Sequence, residues 1–266
     1  MGKWSSMSKS HLIKLIYRSI LFLSALIYFV VMLATKKASY GESVLFVSFG
    51  NGIPVFLIIM TLVFVPEMVM RFFPNGHEAM GTQKMYKSNF IPAQNKEAKP
   101  LTMHWSRTLL VFGAWALLNG TIGLLNIFGI IADDIMVILS LAYSICDLIC
   151  IMFFCPFQKF MMINKCCQTC RIYNWDYPMM FTPFLFLIFK PGPILHYVMI
   201  AFALVVLLTW EITYKRHPER FSEVTNDHLS CRNCQEKLCR HNKFYPHPKA
   251  VKKLVEIKKN ETANKK

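Results

Sequence analysis

Seven of the nine cysteines lie in or beside two short polar segments, at spacings typical of metal ligands. The first segment has the pattern CCxxC and the second has CxxCxxxxC; with one preceding cysteine they contribute Cys155, Cys166, Cys167, Cys170, Cys231, Cys234 and Cys239. Two CxxC pairs brought together supply four thiolates, which is the ligand set of structural zinc or of an iron–sulfur cluster. We therefore predict a metal site with the ligands Cys167, Cys170, Cys231 and Cys234.

Two other ligand sets fit the same spacings. One is a self-contained site in the tail and the other surrounds the first segment; they consist of Cys231, Cys234, Cys239 and His241, and of Cys155, Cys166, Cys167 and Cys170. Zinc is favoured over an iron–sulfur cluster, because a structural zinc ion needs tetrahedral thiolates and no redox partner. A reversible dithiol at Cys167 and Cys170 is the third alternative.

One carboxylate is predicted near the middle of an apolar segment, where a charge costs about 2.5–3.5 kcal/mol to insert. It belongs to Asp147, which shares a helix face with Tyr143 at position i−4. Asn119 lies in the preceding apolar segment, and the tight turn between the two segments is expected to bring it close to Asp147. These three residues form a predicted intramembrane polar site. It either carries a proton, cation or substrate, or joins the two helices by hydrogen bonds.

The elements that must position these residues are apolar segments of membrane length. Of the 266 residues, 54% are hydrophobic and the mean hydropathy is +0.36, whereas ordinary soluble domains are about 45–50% apolar. The sequence predicts an all-α, polytopic membrane helical bundle of about six membrane-embedded segments, with a small cytoplasmic, cysteine-rich, metal-binding cap. Residues 179–189 are the shortest segment, and a helix of that length is too short to span the hydrocarbon core.

Apolar and polar segments alternate along the chain, and this alternation predicts how the chain is divided. The predicted parts are a cytoplasmic N-terminus (1–18), the first two spans (19–73), a cytoplasmic polar loop (74–107), a hairpin of the third and fourth spans (108–155), the cytoplasmic CCxxC loop (156–178), a short span or re-entrant segment with the last span (179–213), and a basic, cysteine-rich cytoplasmic tail (214–266).

Basic residues are distributed unevenly between the connections. The net charge is +15, and residues 214–266 contain fourteen Lys and Arg against six Asp and Glu. The positive-inside rule then places both termini in the cytoplasm, at the plasma or inner membrane, and the tail beside anionic lipid. No nucleic acid is expected as a partner, because the tail lacks the aromatic and basic alternation of a recognition module. Since cytoplasmic thiols stay reduced, metal ligation or redox chemistry is favoured over structural disulfides.

The sequence favours a membrane protein whose zinc-organised cap binds a cytoplasmic protein partner, senses a signal or regulates a membrane path. Motifs of soluble enzymes, such as GxSxG, HExxH and GxGxxG, are absent, and no reaction is assigned. The first alternative is a membrane redox protein with an iron–sulfur centre or a reactive dithiol. The second is a heavy-metal transporter, in which Cys146, Cys150 and Cys155 continue a path of thiols into the bilayer.

Overall fold

The computed structural model is all-helical over the residues that it describes, which are 5–35, 45, 54–74, 78–93, 100, 105–164, 166–188, 193–231 and 233–234. The α-helices are α1 (Ser6–Ala34), α2 (Val55–Met70), α3 (Met80–Gln83), α4 (Trp105–Ile127), α5 (Asp133–Met152), α6 (Asp176–Met180) and α7 (Leu195–Arg216). One π-helical turn covers Phe157–Met161, and 3-10 turns cover Lys87–Asn89, Cys167–Thr169, Tyr173–Trp175, Thr182–Leu187, Pro218–Phe221 and Asp227–Leu229. Within the described ranges the sole β interaction is an isolated bridge between Pro92 and Asn226.

Four of these helices, α1, α4, α5 and α7, are long and apolar enough to cross a membrane. A helix needs about 20 apolar residues to cross the hydrocarbon core, because it rises about 1.5 Å per residue. Helix α2 is also apolar but has only 16 residues. The predicted all-helical membrane protein is thus confirmed for four candidate spans within the described part of the chain.

Helix α1 begins earlier than the predicted first span. The hydroxyl of Ser5 accepts a hydrogen bond from the backbone N–H of Ser8 at 3.1 Å, which caps the helix at its N-terminus. The 29 residues of α1 give a length of about 43 Å, more than the hydrocarbon thickness of about 30 Å. Its basic first turns are therefore continuous with the span and do not form a separate N-terminal segment.

Contacts between helix ends define two ends of the bundle. At the cap end, where α1 and α4 begin and α2, α5 and α7 end, Lys14 Nζ lies 3.1 Å from Glu78 Oε1, and Arg107 donates to the carbonyl of Met162. At the opposite end, which we name the turn end, Asn126 joins α4 to α5 by donating to Asp133 at 2.9 Å. Helix α5 therefore runs antiparallel to α1 and α4, whereas α2 and α7, which pack against each other, run parallel.

A short helical segment, residues 176–187, occupies the centre of the bundle. It comprises α6 and the 3-10 turn Thr182–Leu187, and its contacts are with α4, α5 and α7. Thr182 accepts a hydrogen bond from the Trp115 indole at 3.0 Å, and the ring of Phe186 lies directly against Gly123, two turns further along α4. The segment therefore descends from the cap end toward the turn end, and α7 returns to the cap end.

The predicted segment 179–189 differs in the structure from a single short span. Residues 176–187 form two tight turns whose apolar side chains, including Phe184 and Leu187, are fully buried by the surrounding helices. In α2, Pro54 is the N-cap and Pro66 lies inside the helix, which continues to Met70. Residues 51–53 and the tail from residue 235 onward lie outside the described residues.

Candidate functional site

A cavity of about 290 Å³ opens at the cap end, and five of the residues that line it are cysteines. Five thiols border it, together with two carboxylates, two thioethers and several aromatic rings; these side chains are Cys146, Cys150, Cys155, Cys167, Cys170, Asp147, Asp176, Met179, Met180, Trp115, Tyr143, Phe157 and Tyr173. We call this space the thiol cavity. Its lining combines nucleophilic sulfur with groups that can accept protons.

The end of α5 and the turn after it position three of the thiols. Cys146 and Cys150 are four residues apart on α5 and therefore share one helix face. The helix ends at Met152, and the π-helical turn that follows places the backbone N–H of Gln158 3.4 Å from Cys155 Sγ. This turn brings Cys155 back to the face of α5 that carries Cys150.

Cys150 and Cys155 are neighbours on the wall of the thiol cavity. The pKa of Cys155 is lowered, chiefly by the nearby Cys150 thiol; the backbone N–H of Gln158, which donates to Cys155 Sγ at 3.4 Å, contributes in the same direction. The thiolate, not the thiol, is the nucleophile in thiol chemistry, so a lowered pKa raises the reactive fraction. Of the two thiols, Cys155 therefore has the larger fraction of thiolate.

The predicted dithiol at Cys167 and Cys170 borders the same cavity, and Cys167 Sγ lies 3.9 Å from the carbonyl oxygen of Cys150. Cys167 Sγ donates to the Gln158 amide oxygen at 2.6 Å, and the 3-10 turn Cys167–Thr169 separates the two sulfurs. Cys170 is buried, and burial is the main cause that raises the pKa of its thiol. The Cys170 thiol is accordingly held in the protonated state more strongly than that of Cys155.

The predicted metal ligands are only partly brought together. Cys231 and Cys234 follow the 3-10 turn Asp227–Leu229, away from the lining of the thiol cavity. Over the described ranges, no group of three or more His, Cys, Asp or Glu side chains could hold a metal ion. The alternates Cys239 and His241 lie outside the described residues, and Cys166 precedes the 3-10 turn of Cys167. The four-cysteine metal site therefore stays a prediction.

A cluster of buried charges lies beside the thiol cavity and ties α1 to α2. Arg18 of α1 donates to Glu67 of α2 at 2.5 Å and also to the carbonyl of Ser144 at 3.1 Å. Glu67 also accepts hydrogen bonds from the phenols of Tyr17 and Tyr177, the latter at 2.7 Å. Such a pair offsets its desolvation cost only when the remaining hydrogen bonds are made, as they are for this carboxylate.

A second ion pair fixes the start of the central segment. Arg71 donates to both oxygens of Asp176 and, at 3.3 Å, to the side-chain oxygen of Asn174. Its guanidinium also lies 4.3 Å from the ring centre of Tyr177. Because Asp176 lines the thiol cavity, the charge cluster and the cavity share a wall.

The predicted polar site at Asp147 has different partners from those expected. Asp147 lines the thiol cavity and lies 3.9 Å from Arg18, whereas Asn119 accepts a hydrogen bond from Tyr143 at 3.1 Å. The reason is the register of the α4–α5 hairpin. In that register Tyr143 stands opposite Asn119, and Asp147, one turn nearer the cap end, stands opposite Trp115.

Lys84, in the polar loop before α4, is fully buried. Its ammonium group donates to the carbonyls of Gln168 and Cys170 at 2.7 and 2.9 Å, and lies 5.1 Å from the ring centre of Trp210 and 5.5 Å from that of Phe221. Burial lowers the pKa of Lys84 to about 7, against a smaller opposing effect of the Cys170 and Cys166 side chains. The side chain anchors the CCxxC loop to the polar loop.

Arg18, Glu67 and Lys84 were missed as functional residues by sequence reasoning. A signal existed for the first two, because Arg18 follows Lys14 and Tyr17 on one face of α1 at helical spacing. A polar face of this kind is expected to pair with a charged residue near the end of a neighbouring helix, as Arg18 does with Glu67 of α2. No comparable signal marks Lys84, because its burial arises from the packing of three separate loops.

No protein-family model, no curated protein and no solved structure matches the chain. The assignment of a function therefore depends on the chemistry of its own residues. Among the described residues, the thiol cavity has the largest concentration of reactive groups. Its two dithiols and its two carboxylates are the features that a functional proposal must explain.

Proposed function

We propose that this protein is an integral membrane thiol–disulfide exchange protein whose reactive dithiol is Cys150 and Cys155. The observation that carries the proposal is that both thiols lie on the wall of one cavity that also contains carboxylates, with the backbone N–H of Gln158 donating to Cys155 Sγ at 3.4 Å. This is the reactive-dithiol alternative of the sequence analysis, moved from Cys167 and Cys170 to the pair at the end of α5. In the exchange we propose, the pair begins as two thiols, and the thiolate of one of them attacks the substrate.

The exchange takes two steps. The thiolate of Cys155 attacks one sulfur of a substrate disulfide RSSR, forms a Cys155–SR bond and releases RS⁻. Cys150 then loses its proton, and its sulfur attacks Cys155 Sγ, which forms the Cys150–Cys155 disulfide and releases the second RS⁻. The dithiol gives up two electrons, and the substrate disulfide becomes two thiols. The reverse sequence oxidises a substrate dithiol.

Asp147 is the proton acceptor in the second step. It stands three residues before Cys150, on the same side of α5, and its carboxylate lines the cavity into which that thiol opens. The guanidinium of Arg18 lies 3.9 Å from this carboxylate. A base within reach of the resolving thiol is what this step requires, since the thiol itself is a weak nucleophile.

Cys167 and Cys170 are the dithiol that regenerates the first pair. They border the same cavity, and Gln158 contacts both pairs through its backbone N–H and its side-chain oxygen. A thiol reductant of the cytoplasm reduces this outer pair, which then reduces the Cys150–Cys155 disulfide. Electrons thus move from the cap toward the bilayer.

The same proposal includes the topology. Six membrane-embedded segments, counting α2 and residues 176–188, place both termini and the cap in the cytoplasm, because α1 begins and α7 ends at the cap end. The reducing cytoplasm of a cell with this protein in its plasma or inner membrane supplies the thiol reductant. The basic tail contacts anionic lipid, and neither a nucleic acid nor a particular oligomeric state is required.

Trapping of a mixed disulfide tests the proposal. The protein is purified in detergent without oxygen, reduced, freed of reductant and exposed to oxidised glutathione, and the products are mapped by mass spectrometry. We expect wild type to form the Cys150–Cys155 disulfide. Cys150→Ser should accumulate glutathione on Cys155, because the resolving sulfur is gone, and Cys155→Ser should lose the fast reaction.

Cys146→Ser is the matched control, since Cys146 lines the same cavity one turn earlier but does not belong to the pair. Its exchange rate should equal that of wild type. If Cys150→Ser and Cys155→Ser react as Cys146→Ser does, the pair has no special reactivity and the proposal is refuted.

A zinc-organised cap that binds a cytoplasmic protein is the second candidate, and one arrangement favours it. Both cysteine segments are held by the same short stretch, since Lys84 bonds the CCxxC loop, while Ile91 accepts from the backbone N–H of Asp227 at 2.8 Å. Metal analysis tests it by comparison with Cys231→Ser/Cys234→Ser. About one colourless zinc lost in the variant supports the cap, iron with visible absorption supports a cluster, and no metal in either protein refutes both.

A further inference from the structure

A second, larger cavity opens on the side of the bundle between α4, α7 and the central segment. Its volume is about 490 Å³, and most of its lining is apolar. Phe112 of α4 and Leu204 of α7 both line it and are exposed, so the space opens on the outer surface of the bundle. We call it the side groove. Because α4 and α7 are both of membrane length, the side groove faces the lipid hydrocarbon.

The side groove and the thiol cavity meet at two side chains, Trp115 and Met179, which line both spaces. The Trp115 ring packs with its centre 4.6 Å from that of Tyr143 and 5.9 Å from that of Phe157. An elongated molecule in the groove therefore ends against a wall of aromatic rings whose other side borders the thiols.

Two properties select the occupant of the side groove: the redox chemistry of the dithiol and the apolar lining of the groove. Reoxidation of Cys150 and Cys155 through a site that faces lipid requires an acceptor of two electrons and two protons that is soluble in hydrocarbon. The apolar lining fits a long hydrocarbon chain, and the aromatic wall fits a flat ring, which stacks on such side chains. A phospholipid supplies the chain but has neither the ring nor the redox chemistry.

We propose that the side groove binds a lipid-soluble quinone, with its ring at the Trp115 and Met179 end, and that this quinone oxidises the Cys150–Cys155 dithiol. The inference rests on the thiol exchange proposed above and names its membrane partner. In the reaction the two thiols lose two protons and two electrons and form one disulfide. The quinone gains them and becomes a quinol, which leaves through the groove into the bilayer.

Quinone reduction by the purified protein in lipid nanodiscs tests the inference. The protein is reduced with dithiothreitol, the reductant is removed, and a short-chain ubiquinone analogue is added. Loss of quinone absorbance and formation of the Cys150–Cys155 disulfide are followed together. We expect one quinol for each disulfide formed, and no reaction with Cys155→Ser.

Two glycines of α4 allow a matched blockade of the groove. A side chain at Gly120, which lines the groove, would meet no other atom within 4 Å of its Cβ, and the same is true of Gly113, which does not line it. The Cβ of Gly120→Leu therefore enters open space in the groove, and the rest of the side chain occupies part of it. We expect it to slow quinone reduction by about tenfold or more, as an obstructed apolar site does, while Gly113→Leu reacts as wild type.

Exchange with oxidised glutathione in the same variants separates the two proposals. If wild type exchanges with glutathione but reduces no quinone, the inference is overturned and the thiol exchange stands. If neither reaction occurs, both proposals fail. If Gly120→Leu and Gly113→Leu reduce quinone equally fast, the quinone reaches the thiols by another route and the groove assignment is refuted.

Discussion

Burial of Lys84 predicts that the protein becomes more stable as the pH rises above neutrality. In the folded protein, desolvation lowers the pKa of this lysine to about 7 from an ordinary value of 10.5. Between these values the unfolded chain holds a proton that the folded protein has released. Because stability rises with pH wherever the unfolded state binds more protons, the free energy of unfolding should increase across this window and level off outside it.

The size of the effect follows from the shift of the pKa. The difference between 10.5 and about 7 is roughly 3.5 units, and each unit corresponds to about 1.4 kcal/mol, so the full window contributes about 5 kcal/mol. The maximum slope is about 1.4 kcal/mol per pH unit. Because Lys84 has no exposed surface, solvent screening does not reduce these values. The neutral amine still donates to the carbonyls of Gln168 and Cys170.

The assay is equilibrium unfolding in mixed micelles at about pH 6.5, 8 and 9.5, with Lys84→Met measured beside wild type. Trp210, which is buried 5.1 Å from the ammonium group, provides a fluorescence signal of the local transition. Reductant is kept constant so that the cysteines stay as thiols. The quantity to plot is the difference in free energy of unfolding between wild type and variant.

That difference should rise with pH in favour of wild type, since only wild type carries the titrating group. Lys87→Met is the matched control, because Lys87 lies one turn away and is exposed, and its pH dependence should match that of wild type. Parallel curves for wild type and Lys84→Met would show that Lys84 keeps its ordinary pKa and that the burial argument is wrong.

Two further changes test the packing around the site by equilibrium unfolding. Glu67→Gln removes the charge that Arg18 is buried against, and should destabilise the protein by about 3–5 kcal/mol, as breaking a buried ion pair does. Gly123→Ala places a methyl group 2.3 Å from the ring of Phe186 and should cost about 1–3 kcal/mol by overpacking.

Each of these changes has a control on the same element or at the same end of the bundle. Glu78→Gln breaks the more exposed pair with Lys14 and should cost less than about 1 kcal/mol. Gly120→Ala, which meets nothing, should leave stability unchanged or raise it by about 0.5–1 kcal/mol through helix propensity. Equal effects of the change and its control would contradict the packing described above.

The membrane helices could be predicted from the sequence because their signal is local. A long apolar run between polar segments is visible without a tertiary structure, and α4, α5 and α7 lie close to where the runs indicated. The central segment could not be predicted in the same way. Eleven apolar residues are compatible with a short span, a re-entrant helix or a buried turn, and only the packing of three neighbours selects the two tight turns of residues 176–187.

The thiol cavity could be predicted from the sequence only in part. The CxxC pattern directed attention to Cys167 and Cys170, which line the cavity, but it did not indicate that Cys150 and Cys155, at the end of a helix, line it as well. That arrangement depends on how the chain turns after Met152, which spacing does not reveal. The partner of Asp147 was missed for a similar reason, because Arg18 is more than a hundred residues away in the sequence.

The charge cluster and the proposed chemistry are connected through the central segment. Tight turns of this length have few internal hydrogen bonds, so their position depends on side-chain contacts at both ends. Tyr177 bonds Glu67 at the cap end and Thr182 bonds Trp115 deeper in the bundle. Met179 stands between these two anchors and lines both the thiol cavity and the side groove. A substitution that removes either of these hydrogen bonds is therefore expected to alter both the stability of the protein and the connection between the thiol cavity and the side groove. A substitution on the outer surface should alter neither.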